Sequence, residues 1–565
     1  MLEFTLSEDK TYYIVMRTTD RVSTTGEIPA EYNGLPVKEI GKRAFFWCEN
    51  LEKITIPNSI TKIGDEAFYN CFSLTSVVMP NSLTSIGAKA FQNCRSLTSV
   101  VMPNSVISIG AQAFQDCRSL TAIVLPKKIE ELSECLFDGC SSLTEVKIPN
   151  GVTTINEKAF RSCINLTTVK IPEGVTSIGC QAFAACPKLA SITIPKGVTS
   201  ICKQVFENCG FTSVAIPDSV TSIDFYAFHN CKNLTEITIS NNLNDFDEKA
   251  FNACPISKVN FLGMIDEWAQ RGFGKAFEHG YDLYLNDNLV TDAIILTFKI
   301  AKGAFYNCTS LKRVTLVYGL DVLVDEVFKN CCNLVDVNLP DTLKRISPSA
   351  LLGCDKLNYA KYHNGCYLGN KNNKYTILVK PDNKDINYSI INPATKFIND
   401  SAFLDCKRLE SVGVEENSQL TEIGDFAFSG CINLKTANFE PAEQLTNMGF
   451  RAFKDCGLTS FSIPEGIKKI NAWAFEKCSK VTRLKIPTSL QVIEAGTFYD
   501  CDLDEVDFVN YVGWQVEIPK EGKDPKIKKI NKKLLMDKVK AAGVLTEYSH
   551  AKWINTVDFS KMKKF

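Results

Sequence analysis

Apolar residues recur along most of the chain in one short pattern. A representative copy is LTSVVMPNSVISIGAQAFQDC at residues 97–117. Its spaced apolar positions are Leu97, Val100, Met102, Val106, Ile109, Ala113, Phe114 and Cys117. Leu97, Val100 and Met102 approximate the alternation of a β-strand, and Pro103 ends the strand because proline has no N–H for the ladder. The pattern predicts one short strand in each copy.

The rest of the copy predicts turns. The Ile109-Gly110 pair is expected to turn the backbone, because glycine adopts conformations that other residues avoid. Ala113 and Phe114 would then fill the interior from a turn-like or short helical segment, and Asp116 suits a second turn. Each copy is therefore a strand followed by a compact return path.

The cysteines show the period of the pattern. Eight of them, from Cys48 to Cys209, are spaced by 23 residues, and the series resumes after small slips from Cys231 to Cys501. A unit of this length cannot bury its own apolar face, so neighbouring copies must stack and share one core. The sequence predicts a repeat solenoid whose paired parallel strands lie about 4.8 Å apart.

The repeated pattern LxxVxIPxxVxxIGxxAFxxC resembles the BspA-type leucine-rich repeat of bacteria and some parasitic protists, over roughly residues 38 to 508. The resemblance implies a curved horseshoe, with a parallel β-sheet on the concave side, turns and short helices on the convex side, and caps at both ends. It divides the chain into an N-terminal capping hairpin (1–37), three repeat arrays (38–258, 304–362 and 401–508), two inserts (259–303 and 363–400) and a basic C-terminal cap (509–565).

The inserts and the cap have patterns of their own. In both inserts, Asn-rich turns join strand-like runs, which predicts hairpins. In the cap, residues 527–542 are expected to form a lysine-rich helix over the last coil. Its apolar residues would lie near one face; they are Ile527, Ile530, Leu534, Leu535 and Val539.

Composition narrows the class of protein. Apolar residues make up 45% of the chain and charged residues 22%, which is typical of a folded protein, and no stretch approaches the roughly 20 apolar residues of a membrane span. The first residues lack the basic region and apolar run of a signal peptide, so none is expected. The net charge is −1, yet residues 516–565 contain 13 lysines and six acidic residues.

The chemistry-bearing residues do not form a known catalytic or metal-binding motif. Each repeat offers one apolar-flanked thiol and no CxxC pair, which predicts buried structural cysteines. The four histidines have no ligand or nucleophile at a recognised spacing, and no phosphate-binding glycine motif is present. No catalytic residue, metal or cofactor is expected, and the protein is not expected to be an enzyme.

The cysteines also bear on location. Stacked thiols would be prone to oxidation if coils opened, which favours a reducing cytoplasm; the cell surface or secretion is the alternative. Cys180 and Cys202 lie outside the column and are either neighbours on successive coils or placed there by chance.

The strand face is the candidate partner-binding surface. Residues that flank the buried strand position should point away from the core, and one period apart they include Val78, Val101 and Val124. This apolar ladder is either a docking site or a reflection of the strand preference of β-branched residues. The candidate partner-binding residues on the concave face are Ser76, Val78, Ser99, Val101, Val124, Lys147 and Lys170.

The basic tail is a second candidate. Five of its lysines are a possible contact for an anionic partner, or else the solvated face of a capping helix: Lys526, Lys528, Lys529, Lys532 and Lys533. Nucleic acid is not the expected partner, because this run lacks arginines and interleaved aromatic residues.

These observations lead to three hypotheses about function. The first is a non-enzymatic scaffold that binds a protein partner through its concave sheet, with no small-molecule substrate. The second, implied by the resemblance, is a BspA-like surface adhesin that binds host matrix proteins or other cells. The third is an enzyme hidden in an insert or in the tail, but residues 259–303 and 509–565 are each too short for an ordinary catalytic domain.

Overall fold

The computed structural model describes residues 2–317, 319–520 and 523–556, and only the backbone of Lys520 and Lys523. In this part of the chain, short strands from successive repeats pair in parallel, which makes the protein a β-solenoid with few helices. It divides into two compact units. The first runs to Val290 and includes Asn307–Ser310, and the second consists of Thr291–Tyr306 and the residues from Leu311 onward.

A regular coil contains two strands. The front strand, such as Ser99–Val101, precedes the proline and buries only its middle residue. The back strand, such as Ser108–Ile109, has two residues and ends at the isoleucine of the Ile-Gly pair. The sequence predicted the front strand but not the back strand, because two residues are too few to show an alternating pattern. Turns complete the regular coil, which is one of the two alternatives expected for this segment.

In the first unit the front strands are Thr25–Glu27, Lys53–Thr55, Ser76–Val78, Ser99–Val101, Ala122–Val124, Glu145–Lys147, Thr168–Lys170, Ser213–Ala215, Glu236–Ser240, Lys258–Leu262, Asp282–Leu285 and Asn288–Leu289. The other strands are Leu2–Leu6, Tyr13–Thr18, Glu31–Tyr32, Leu35–Ile40, Lys62–Ile63, Ser85–Ile86, Ser108–Ile109, Glu131–Leu132, Thr154–Ile155, Ser177–Ile178, Ser200–Ile201, Ser222–Ile223 and Asp245–Phe246. An α-helix, Ile265–Arg271, and a 3-10 helix, Phe273–Ala276, interrupt the coils.

In the second unit the front strands are Asp292–Ile295, Arg313–Leu316, Asp336–Asn338, Tyr388–Ile391, Ser411–Val414, Thr436–Asn438, Ser460–Ser462, Arg483–Ile486 and Glu505–Phe508. The other strands are Val322–Leu323, Arg345–Ile346, Ala360–Tyr362, Gly365–Leu368, Ile377–Pro381, Phe397–Ile398, Glu422–Ile423, Asn447–Met448, Lys469–Ile470, Val492–Ile493, Trp514–Lys520, Lys523–Lys529 and Lys552–Asn555. Its helices are Lys532–Leu535 and Lys538–Glu547.

The glycine of the Ile-Gly pair accepts the hydrogen bond that closes the turn, from Ala113, but it does not adopt a left-handed conformation, which corrects the expectation. The left-handed residues of the coil are Gln112, with φ of 62°, and Asp116, with φ of 56°. A Cβ atom on Gly110 would lie 2.4 Å from the backbone nitrogen of Ala88 in the preceding coil. Glycine occupies this position because neighbouring coils approach too closely to leave room for a side chain.

Two columns of identical side chains fill the interior. The rings of Phe91 and Phe114 are fully buried and stack with centroids 5.4 Å apart. The thiol of Cys94 donates a hydrogen bond to the carbonyl oxygen of Phe68 in the preceding coil at 3.2 Å, and Cys117 does the same to Phe91. Burial raises the pKa of these two thiols well above the usual value. The cysteines of the column are buried, as predicted, and also link one coil to the next.

The N-terminal residues form the expected hairpin. Leu2–Leu6 pairs antiparallel with Tyr13–Thr18, which in turn pairs in parallel with Leu35–Ile40. The latter strand begins the back sheet of the first unit by pairing with Lys62–Ile63. The hairpin therefore covers the backbone edge of the first coil.

The predicted helix at 527–542 is wrong in its first part. Residues Lys523–Lys529 form a strand that pairs with Trp514–Lys520, and the helices begin only at Lys532 and Lys538. Pairing with Trp514–Lys520 overrides the helical spacing here, and the side chains of Ile527 and Val539 are 57% and 65% exposed. The helix Lys538–Glu547 does contact the last front strand, Glu505–Phe508, and the following strand Lys552–Asn555 pairs antiparallel with the back strand Val492–Ile493.

Both inserts contain the predicted hairpins. In the first, Asn286 and Asp287 have φ of 48° and 65° and join antiparallel strands, but a helix precedes the hairpin, which the sequence did not predict. In the second, Gly365–Leu368 pairs antiparallel with Ile377–Pro381. Asn370 lies in the connection and accepts hydrogen bonds from two backbone N–H groups. Asparagine supports these turns because it tolerates left-handed backbone and bonds to nearby amides.

Candidate functional site

The front strands of the first unit place the candidate partner-binding residues on one face. Seven strands, from Thr25–Glu27 to Thr168–Lys170, form one parallel sheet. Its register aligns two columns of side chains. The first column contains Ser76, Ser99, Ala122, Glu145 and Thr168, and the second contains Val78, Val101, Val124, Lys147 and Lys170. All seven residues selected from the sequence therefore lie on this face.

Three valines of the second column form an exposed apolar strip, which we call the valine strip. The side chains of Val78, Val101 and Val124 are 72%, 65% and 72% exposed. Between them and the first column, the middle residue of each strand points into the core, as Val100 does. Apolar surface of this kind, held in one row on a sheet, is typical of a contact surface.

The charge of the column changes along its length. Thr55 and Glu27 precede the strip on neighbouring strands, while Lys147 and Lys170 follow it in direct register. Both lysines are exposed. Thr55 thus lies next to the strip at one end, with Glu27 one strand further, and two ammonium groups follow the strip at the other end.

A row of threonines borders the first column and connects the backbones of successive coils. The hydroxyl of Thr98 donates to the carbonyl oxygen of Thr75 at 3.1 Å, and Thr121, Thr144 and Thr167 repeat this contact with the preceding coil. These bonds add to the strand ladder between the same coils. The backbone of this face is therefore held in place by side-chain as well as strand hydrogen bonds.

The five lysines of the basic tail do not share one helix face. Lys526, Lys528 and Lys529 lie on the strand Lys523–Lys529, whereas Lys532 and Lys533 lie on the following helix. All five are exposed. The ammonium group of Lys528 lies 4.6 Å from the ring centroid of Tyr548 and donates to its hydroxyl, and this hydrogen bond raises the pKa of Lys528.

Sequence reasoning missed a second apolar patch. Ile294, Leu296 and Phe298 are 63%, 59% and 70% exposed in the second unit. Ile294 lies on a front strand, in register with Thr315, inside the range assigned to the first insert. The residues from Ala293 to Leu296 are all apolar, so the sequence has no alternation that could have identified this front strand, although the structure exposes Ile294 and buries Ala293 and Ile295.

The described residues contain no group of three or more His, Cys, Asp or Glu side chains arranged to hold a metal ion. His229 instead contacts a carboxylate oxygen of Glu207 at 3.2 Å. In the same described ranges, no helix has the length and apolar character needed to span a membrane.

The stacked coils and their front sheet define a leucine-rich-repeat solenoid. The family described as "BspA type Leucine rich repeat region" matches residues 38–167, 153–277, 290–378 and 396–513. The chain belongs to this family, as the repeated sequence pattern predicted.

Solved structures of leucine-rich repeat proteins are similar to the chain. A leucine rich cell surface protein from Faecalibacterium prausnitzii is 26% identical, with 63% of this chain and 92% of that chain covered and a TM-score of 0.39. A leucine rich repeat protein from T. pallidum is 32% identical over 34% of this chain and 88% of that chain, with a TM-score of 0.32. One from Bacteroides ovatus is 20% identical over 90% of this chain and 98% of that chain, with a TM-score of 0.34. No curated protein matches in sequence.

Proposed function

We propose that the protein is a non-enzymatic scaffold that binds a protein partner through the valine strip and its neighbours on the front sheet. The observation that carries the proposal is the row of Val78, Val101 and Val124, each at least 65% exposed on an ordered sheet. Ser76 and Ser99 stand beside the strip, and small side chains there let a partner approach closely. Isolated exposed valines are common, but three valines in register on neighbouring strands form one continuous apolar surface.

The surroundings of the strip indicate the chemistry of the partner. An apolar ridge fits over the valines, and carboxylates fit beside Lys147 and Lys170, whose strands follow in register. Exposed charges of this kind contribute more to specificity and association rate than to affinity. We therefore infer a partner segment that is apolar and ends in acidic residues, with the valines supplying most of the affinity.

The scaffold proposal is also supported by the character of the front sheet. Side chains in the two exposed columns are mainly Ser, Val, Thr and Lys, which bind but supply no general base or activated nucleophile in this arrangement. We propose no small-molecule substrate for this face.

A surface adhesin is the second candidate, favoured by membership of the BspA-type family. An adhesin would lie on the cell surface, whereas the alternative scaffold would lie in the cytoplasm. The column thiols are compatible with either location, because full burial protects Cys94 and Cys117 from oxidants in any compartment. Protease treatment of intact cells, followed by detection of the chain with an antibody, distinguishes the two: loss of the signal supports the adhesin and persistence supports the cytoplasmic scaffold.

The strip is tested by Val101→Glu, with Ile107→Glu as the matched control. Ile107 lies in the same coil and is 59% exposed, but it is outside the front strand. A partner is captured with the full chain, and the affinity of each variant is then measured. Val101→Glu should weaken binding by at least about tenfold, because it places an unpaired charge within an apolar contact.

Ile107→Glu should bind normally, and both variants should melt like the original protein because both positions face solvent. Normal binding by Val101→Glu at an unchanged melting temperature would show that the valine strip is not the site.

A further inference from the structure

Two cysteines outside the buried column occupy adjacent places on consecutive coils. Cys180 follows Gly179, while Cys202 follows Ile201 and therefore takes the position in its coil that Gly179 holds in the preceding one. Unlike the column thiols, both are only partly buried. A small oxidant can reach them from solvent.

The geometry of the glycine position brings the two thiols together. A Cβ on Gly179 would lie 2.5 Å from the backbone nitrogen of Glu157, the residue after the matching position in the preceding coil. The backbone N–H of Gln181, the residue after Cys180, donates to the carbonyl oxygen of Lys203, the residue after Cys202, at 3.3 Å. This bond places the two cysteines next to each other on adjacent coils, and Cys180 contributes, after burial, to the raised pKa of Cys202. Disulfides tolerate Cα separations of about 4.4–6.8 Å, a range that residues hydrogen-bonded across neighbouring segments reach.

The pair lies where the strand ladders are interrupted. Within the described residues, one back sheet ends at Ser177–Ile178 and the next begins at Ser200–Ile201, without pairing between them. The front sheet also ends at Thr168–Lys170, and the following front strand is Ser213–Ala215. The coils on the two sides remain joined by the interior, where the rings of Phe183 and Phe206 stack 5.9 Å apart. We call this place the joint.

We propose that Cys180 and Cys202 form an oxidation site, which closes a disulfide across the joint when the protein meets a peroxide. One thiol attacks the peroxide, becomes a sulfenic acid and releases water. The second thiol then displaces the hydroxyl group as a second water and forms the S–S bond. The two thiols lose two electrons, and the peroxide, the oxidant, gains them. The new bond replaces the strand pairing that is missing at this place.

Other thiols of the chain serve as internal references. Cys94 and Cys117 are completely buried, so peroxide should leave them unchanged while the protein stays folded. Cys332 is exposed and follows the buried Cys331. It should oxidise or form adducts without cross-linking inside the chain.

The test is peroxide treatment of the reduced full chain, followed by blocking of the remaining thiols in denaturant and peptide mass spectrometry. We expect one dominant cross-link, about 2 Da lighter than the two reduced peptides together, between the peptides that contain Cys180 and Cys202. Fragment ions separate Cys180 from Cys186, which shares its tryptic peptide. Dithiothreitol should remove the cross-link.

Matched variants complete the test. Cys180→Ser and Cys202→Ser should each abolish the cross-link, whereas Cys332→Ser should leave it unchanged. Hydrogen exchange of residues 168–178 and 191–201 should slow in the oxidised protein and not in the oxidised Cys180→Ser variant. Overoxidation of either cysteine without a cross-link, or unchanged exchange after the cross-link has formed, would overturn the proposal.

Discussion

The interior and the front face of the same coils follow opposite rules. In the interior, the rings of Phe68, Phe91 and Phe114 stack on one another. The thiols of Cys94 and Cys117 donate hydrogen bonds to the carbonyl oxygens of Phe68 and Phe91, each in the preceding coil. On the front face, the matching positions change from valine to lysine within five strands. An interior position meets the same neighbours at the same spacing in every coil, so one side chain fits throughout. A face position meets solvent or a partner and is free to differ.

This contrast separates fold from function along the chain. The repeated residues identify the solenoid and its family, while the residues that vary in register hold the information about the partner. Substitutions on the two sides should therefore differ in kind: interior changes should lower stability, and face changes should alter binding alone. Four further predictions test this division.

The largest effect is expected from Phe114→Ala. Removing a fully buried ring that stacks on Phe91 and Phe137 should lower the free energy of unfolding by about 3–5 kcal/mol. The loss should spread to the adjoining coils, because each coil is stabilised by its neighbours. Chemical denaturation measures the first effect and hydrogen exchange the second.

Phe298→Ala is the control for that variant, since its ring is 70% exposed and its loss should change stability by no more than about 0.5 kcal/mol. Equal melting temperatures for the two variants would show that the ring of Phe114 does not stabilise the core.

A smaller loss is expected from Gly110→Ala. The added Cβ would lie 2.4 Å from the backbone of the preceding coil, so the coils must separate, at a cost of about 1–3 kcal/mol. Gly151→Ala is the matched control, because its Cβ would meet nothing closer than 3.5 Å. Urea denaturation should show the first variant to be destabilised and the second to be neutral or slightly more stable. The reverse order would show that the close approach of the coils at Gly110 does not determine which residue fits there.

The thiol column is tested by Cys94→Ala. This variant loses the sulfur and its hydrogen bond to Phe68, and it should be less stable by about 1–2 kcal/mol. The exposed Cys332→Ala variant should be unchanged in thermal unfolding. Identical melting curves for the two variants would show that the thiol of Cys94 and its hydrogen bond do not contribute to stability.

The smallest effect is expected from Lys528→Glu combined with Lys529→Glu. Both side chains are exposed, so the melting temperature should hold, and a partner bound at the valine strip should keep its affinity at low and at physiological salt. If the double variant loses binding, and the difference fades as salt is raised past the screening range, an anionic partner occupies the tail instead.

Much of the regular solenoid was predictable from the sequence. Leu97, Val100 and Met102 defined the front strand, and the alternation about Val100 correctly placed Ser99 and Val101 on the exposed face. This succeeded because the pattern recurs in many coils, so chance matches average out. The candidate site could be located for the same reason, although its partner could not be identified.

The remaining features depend on contacts between coils, which a single strand pattern does not contain. The role of Gly110 depends on its distance from Ala88, a residue 22 positions earlier. The front strand that carries Ile294 occurs once, next to an irregular insert, and has no repeated copy to support it. The tail strand around Lys528 was taken for a helix because Ile527, Ile530 and Leu534 have helical spacing, yet its pairing with Val516 determines the structure.

The S–H groups of the cysteine column can serve as vibrational probes that are already present in the protein. An S–H bond that donates to a carbonyl oxygen vibrates at a lower frequency than an unbonded one, and here the donors form a row with similar distances, such as 3.1 Å from Cys71 to Phe45 and 3.2 Å from Cys163 to Phe137. Raman spectra should show a narrow S–H band for the folded chain. As coils separate, the band should move and broaden, so the unravelling of the interior can be followed without any added label.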